Sequence, residues 1–246
     1  MLEALKNDVC NANLELPRRN LVIYSWGNVS GIDREKGLVA IKPSGIDYDD
    51  LTADKIVIVD LSGRRVEGDL NPSSDTPTHL ELYRRFGGIG GVCHTHSPHA
   101  TIWSQACRDI PCFGTTHADQ FYGAIPVTAP LTEEEIASEY ELNTGKAIVA
   151  RFGGLDPMQM PAVLVANHGP FTWGKTAAAA VESMVILEQT AALALGTITI
   201  DAARPPIAQT LLDRHFLRKH GPGAYYGQNR ETLREPLSPE HGTGLK

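Results

Sequence analysis

The sequence predicts one α/β domain in which helices cover an at least partly antiparallel sheet. Three observations carry that prediction. Long helical stretches alternate with short β-rich runs. Two pairs of those runs are separated only by turn residues, so each pair closes as a hairpin. No repeat or linker divides the 246 residues, a length that one core can serve.

The elements follow in order. Leu2, Leu5, Val9, Ala12 and Leu16 recur at steps of three and four, the stripe of an amphipathic helix that Pro17 should stop. "LVIYSWGNVSGIDREKGLVAIKPSG" reads as a hairpin around "DREKG", each run ending in a small polar loop, "GNVSG" and "KPSG". "DKIVIVDLSGRRVEG" is a second hairpin turning at Ser62 and Gly63. "SSDTPTHLELYRRF" opens a helix that Asp75 or Thr76 can cap, with Pro77 in its first turn. "IGGVCHTH" is a short strand, with a helix expected from Ser97. "LTEEEIASEYE" carries a capping box, Thr132 with Glu135. "PAVLVANHG" is a buried strand, and "TAAAAVESMVILEQTAALAL" is the longest expected helix. "PPIAQTLLDRHFLRKHG" is another helix, with Gly221 as its stop. Residues 1–228 are read as the domain. The charged, aperiodic stretch from Asn229 to Lys246 is expected to be a disordered tail.

Composition excludes several classes. Net charge is −7 and no basic tract interleaves with aromatics, which argues against nucleic acid as a partner. An acidic protein can still bind a small anion through a local nest of backbone N–H groups and a Lys or Arg. The four cysteines form no C-x-x-C, so zinc-ribbon and thioredoxin readings fail. "MLEALKNDVC" lacks the apolar region of a signal peptide. The longest apolar stretch carries Glu182 and Glu188, which favours a buried helix over a membrane span. Free thiols and a reducing cytoplasm are the expected setting.

"GPFTWGKT", residues 169–176, matches the phosphate-loop pattern G-x-x-x-x-G-K-[ST]. The chemistry argues against it. Pro170 has no N–H to offer phosphate, and Phe171 and Trp173 are bulky where phosphate must approach. A helix-entry loop with both aromatics in the core is the expectation.

The chemistry-bearing residues gather elsewhere. His94 and His96 stand two apart on a strand and so share a face, with Cα atoms ~7 Å apart. Two such imidazoles can converge on one ion, though His-x-His alone equally describes a strand end with exposed histidines. His168 ends the other buried strand, where α/β folds commonly place sites. Asp75 can cap a helix, ligate a metal or hold a ligand histidine in its tautomer. His99 falls outside the strand alternation and has no assigned chemistry. "GNVSG" and "KPSG" suit a phosphate nest or plain hairpin ends. "GTTHADQFYG" puts Thr115 and Asp119 in a loop, and "AYYGQ" places Tyr225 and Tyr226 just after a helix.

In order, "WGNVSG", "IKPSG", "PSSDTPTH", "HTHSPHATIW", "TTHADQFYG", "EYE", "HGPFTWGK", "TLLDRHFLRKHG" and "AYYGQ" resemble the L-ribulose-5-phosphate 4-epimerases of the class II aldolase family. The resemblance runs from Met1 to about Gln228. It implies a three-layer α/β/α fold with a central, largely antiparallel sheet. It implies a divalent metal, usually Zn2+ with Mn2+ or Co2+ as alternatives, held by His94, His96 and His168, with Asp75 included in the metal set. It implies phosphate binding by Asn28, Lys42, Ser44, Gly45, Ser73 and Ser74. Acid–base roles fall to Asp119 and Tyr226, supplied by a neighbouring subunit of a C4 homotetramer, with Thr115, Glu141, His215 and Arg218 around them. A sugar phosphate is the implied substrate, within arabinose catabolism. Asn167, before His168, resembles the aldolase branch, so a fuculose- or rhamnulose-1-phosphate-type aldolase is the alternative. A zinc hydrolase and a structural zinc clamp are remoter readings; the histidine-only set argues against the clamp.

The chemistry implied is inversion at C4 of L-ribulose 5-phosphate. That C–H is not next to the carbonyl and is not acidic, and no GxGxxG fingerprint offers a nicotinamide site. Cleavage of C3–C4 by retro-aldol chemistry, then re-addition to the other carbonyl face, is the remaining route.

Overall fold

The computed structural model describes residues 2–226. The tail expected from Asn229 lies outside the described residues. In chain order the elements are α1 (Leu2–Arg18), β1 (Gly27–Asp33), β2 (Leu38–Ile41), β3 (Val57–Asp60), β4 (Arg65–Glu67), α2 (Thr76–Arg85), β5 (Gly91–Thr95), α3 (Pro98–Gln105), α4 (Thr115–Ala118), α5 (Glu133–Ala137), α6 (Tyr140–Arg151), β6 (Ala162–Leu164), β7 (Pro170–Gly174), α7 (Ala177–Ile200) and α8 (Gln209–His220).

The strands form one seven-stranded sheet in the order β4-β3-β2-β1-β5-β7-β6. Every pairing between neighbouring strands is antiparallel. Helices cover both faces. On one, Gly31 of β1 meets Leu5 and Val9 of α1 and Ala177 of α7. On the other, the Ser30 hydroxyl bonds His79 and Tyr83 of α2, and Phe86 and Phe152 pack on Trp173 of β7. This is the expected three-layer α/β/α domain.

The first strand corrects the sequence reading. "LVIYSW" is not a strand: Tyr24 is left-handed (φ 52), and the chain there turns. "GNVSG" is not a loop but the centre of the sheet, with residues 27–31 all buried. Its small side chains are required because a Cβ on Gly31 would sit 2.9 Å from Val9. The buried Asn13 side chain completes the seam, accepting from Val29 N–H and donating to the Val29 carbonyl.

Other departures are local. α1 runs through Pro17 to Arg18, since one lost backbone bond near a helix end is tolerated. The phosphate-loop look-alike is strand β7, not a loop, and Phe171 and Trp173 are fully buried as expected. Thr115 opens the short helix α4 rather than sitting in a loop, and Asp119 is that helix's C-cap. The capping box of Thr132 and Glu135 is present at α5.

Among the described residues, α7 is the one helix long and apolar enough to cross a membrane. It packs instead against β5, β7, α1 and α3. Its Glu188 accepts from the N–H groups of His99 and Ala100 and from His99 Nδ1, capping α3. His99 is thereby placed in the helix expected of it. All four cysteines are free thiols.

Two buried histidines make stability depend on acid. Burial pushes His79 down to about 3, although Asp75 opposes the shift. Burial likewise pushes His117 down to about 4, against the Gly123 carbonyl that its ring bonds. Unfolded, each titrates near 6.5, so between that value and the folded one the unfolded chain binds more protons. Stability is therefore full above pH ~6.5 and falls as pH drops through this window, by roughly 1.4 kcal/mol per unit per histidine. At pH 5 each should cost about 2 kcal/mol. Urea midpoints at pH 7 and pH 5 test this, with His117→Asn flattening the decline by its share. An unchanged midpoint would mean that these rings are not held neutral.

Candidate active site

Strand register builds the site. His94 on β5 lies opposite Asn28 on β1 and Phe171 on β7, so one row across the sheet carries all three. The His94 ring stacks on Phe171 at 4.1 Å between centroids. Its Nδ1 lies 2.9 Å from the Pro170 carbonyl oxygen. A carbonyl can only accept, so Nδ1 donates there and Nε2 is the nitrogen left facing His96.

His96, one residue beyond the strand end, puts its Nε2 3.2 Å from that of His94. Two nitrogens bound tetrahedrally to one zinc at ~2.05 Å would stand ~3.3 Å apart. His168 arrives from the other side, aimed by the left-handed Asn167 (φ 61), whose N–H bonds the Ser104 carbonyl. The three ring centroids are 4.8, 4.9 and 5.0 Å apart. Their ligand nitrogens all lie within 4.8 Å of one another. Burial, reinforced by the neighbouring imidazoles, lowers His96 and pushes His168 down to about 3. Neutral imidazoles with a bare nitrogen are the form that metal binding needs, so these residues fit a divalent cation.

Asp75 does not cap α2. It stands at the N-cap position, yet its side chain makes no cap bond and accepts from Asn28 Nδ2 at 2.6 Å. Burial would raise its carboxyl. His94, His79 and the Asn28 bond outweigh that and hold it below the usual range.

The expected phosphate residues converge on the same cavity. It measures about 580 Å3 and is lined by Asn28, Lys42, Ser44, Gly45, Ser73 and Ser74 together with Asp75, Glu141 and the three histidines. Two loops are stitched side by side there: Ser44 N–H bonds the Asn71 carbonyl and Ser73 N–H bonds the Lys42 carbonyl. Gly45 is left-handed (φ 70), which brings bare backbone to the cavity wall. Lys42 is buried, with its ammonium on the Ile46 carbonyl and over the Tyr48 ring. Burial lowers it to about 8, so it remains mostly cationic at neutral pH.

The remaining candidates form a second cluster. Asp119 accepts from Arg218 Nε and Nη2 at 2.8–3.1 Å and from His215 Nδ1 at 3.0 Å. Burial would raise its carboxyl, but these bonds outweigh it and keep Asp119 ionised. The Tyr226 ring lies over Arg218 and Lys219, at 4.9 and 4.5 Å. Thr115, Asp119, His215, Arg218 and Tyr226 do not line the histidine cavity. A larger groove of about 1070 Å3 between α1 and α7 holds none of the expected site residues.

Sequence reasoning missed Tyr140 and Trp26, which both line the histidine cavity. Tyr140 sits in "EYE" between two glutamates, and only the fold brings its hydroxyl to His168. The Pro170 carbonyl lay in the rejected phosphate-loop pattern.

A cluster of three histidines that could hold a metal ion, beside stitched polar loops on an antiparallel sheet between helices, defines the class of scaffold. The chain belongs to the class II aldolase family: the profile of the Class II Aldolase and Adducin N-terminal domain matches residues 7–195. An L-fuculose 1-phosphate aldolase is similar at 26% identity and TM-score 0.68, over 86% of this chain and 94% of that one. YgbL from Escherichia coli is similar at 25% identity and TM-score 0.67, over 87% and 98%. The L-fuculose-1-phosphate aldolase of Thermus thermophilus shares the fold at 24% identity and TM-score 0.64, over 82% and 98%.

Proposed function

We propose that the chain is a metal-dependent L-ribulose-5-phosphate 4-epimerase, converting L-ribulose 5-phosphate to D-xylulose 5-phosphate by retro-aldol cleavage and re-addition. The observation that carries this reading is the meeting of three imidazoles and two phosphate-type loops on one cavity. A zinc hydrolase of carboxylic esters or amides has no need of such loops. A divalent cation on His94, His96 and His168 would act as a Lewis acid for the negative charge of the cleaved three-carbon fragment.

The chain's own residues supply the rest. Asn28, Lys42, Ser44, Gly45, Ser73 and Ser74 hold the phosphate while the glycolaldehyde phosphate carbonyl turns over. Asp75, ionised and held by Asn28, orients that loop against the imidazoles. Asp119, an ionised carboxylate held by Arg218, and the Tyr226 phenol are the pair that removes and returns the proton. Both lie off the cavity of their own chain, so this reading brings them from a neighbouring copy in a homotetramer.

A second reading is a sugar-phosphate aldolase. Similarity to an L-fuculose 1-phosphate aldolase and Asn167 before His168 favour it. Metal-loaded enzyme incubated with L-ribulose 5-phosphate should give D-xylulose 5-phosphate. Release of dihydroxyacetone phosphate from a 1-phosphate ketose, with no epimerisation, would move the assignment to the aldolase.

A further inference from the structure

The Nδ1 atoms of two of the clustered histidines have different partners. His94 Nδ1 is held by the Pro170 carbonyl. His168 Nδ1 has only the hydroxyl of Tyr140, at 3.3 Å, among the described residues. Tyr140 is the first residue of α6, and its place is set firmly. Its carbonyl accepts from Thr144 Oγ1, and the next carbonyl, of Glu141, accepts from Thr78 Oγ1. The two rings are tilted, with centroids 6.1 Å apart, so the hydroxyl makes the contact and the ring faces do not stack.

A carbonyl dictates a tautomer and a hydroxyl does not, since it can donate or accept. The His168 tautomer is therefore set by how the Tyr140 hydroxyl is used. A ligand nitrogen must be bare, and its ring's other nitrogen must carry the proton and find an acceptor. We infer that Tyr140 is a positioning residue for His168. Its oxygen accepts the Nδ1 proton and holds Nε2 bare toward His94 and His96. This rests on the metal reading of the three histidines. It assigns to Tyr140 the part that the Pro170 carbonyl plays for His94.

The test compares Tyr140→Phe with His168→Asn in the full chain. Zinc affinity is measured by chelator competition, and the visible absorption of the cobalt-substituted protein is recorded. Tyr140→Phe removes one oxygen from a half-buried ring, so the melting temperature of the metal-free protein should not move. Its zinc affinity should fall about 10–100-fold, with displaced cobalt bands. His168→Asn should abolish tight binding. Wild-type affinity and an unchanged cobalt spectrum in Tyr140→Phe would overturn the role of Tyr140 while His168→Asn still upheld the metal site. Tight zinc in His168→Asn would overturn both.

Discussion

His96→Asn, and His94→Asn with it, should lose bound zinc and turnover in parallel. The two nitrogens lie 3.2 Å apart with the third imidazole beside them, so removing either leaves two ligands. The loss should exceed the roughly 10–100-fold that an outer partner is worth. His96 is the cleaner site, because it stands past the strand end and is more exposed than His94, which is buried in the sheet. His94→Asn also removes the stack on Phe171 and the donor to the Pro170 carbonyl, so it should lower the melting temperature as well. Metal analysis after dialysis, with activity on the same samples, checks both. Full zinc in either variant would mean that the three-histidine centre is wrong.

Tyr226→Phe should do the opposite to the metal and nearly as much to turnover. Its ring is well exposed and rests on the charges of Arg218 and Lys219, outside the hydrophobic core. Deleting the hydroxyl should leave fold and zinc intact. If the phenol transfers a proton in the reaction, kcat should fall about 10²–10⁴-fold. Near-normal kcat would remove Tyr226 from the chemistry. Because Tyr226 does not line its own chain's cavity, a mixed assembly of His96→Asn and Tyr226→Phe chains should recover part of the activity that each lacks alone. No recovery on mixing would count against sites shared between copies.

Much of the fold could be read from local chemistry. The Thr132 and Glu135 box announced α5, and the Ser62–Gly63 turn announced the β3–β4 hairpin. The misreading that matters most for the sheet has a plain cause. "GNVSG" has the composition of a loop, yet it lies at the sheet centre because two helices press on it. Local pattern reports which residues suit a turn, not how closely another element will approach. In "GPFTWGKT", Pro170 and the aromatics cannot cradle a phosphate, and they form a buried strand.

By itself, the sequence determined the inventory and the facing: which side chains can hold a cation or a phosphate, and that His94 and His96 share a side through the two-residue period of a strand. Only the tertiary structure decided that His168 joins them and that Asn28 on its strand and the Lys42 and Ser73 loops meet at the same cavity. It also turned Asp75 from helix cap to Asn28 partner, and set Asp119 and Tyr226 apart with Arg218. The reason is physical. Periodicity is encoded over neighbouring residues, whereas convergence depends on the register of backbone hydrogen bonds between distant strands, which no local run of residues specifies.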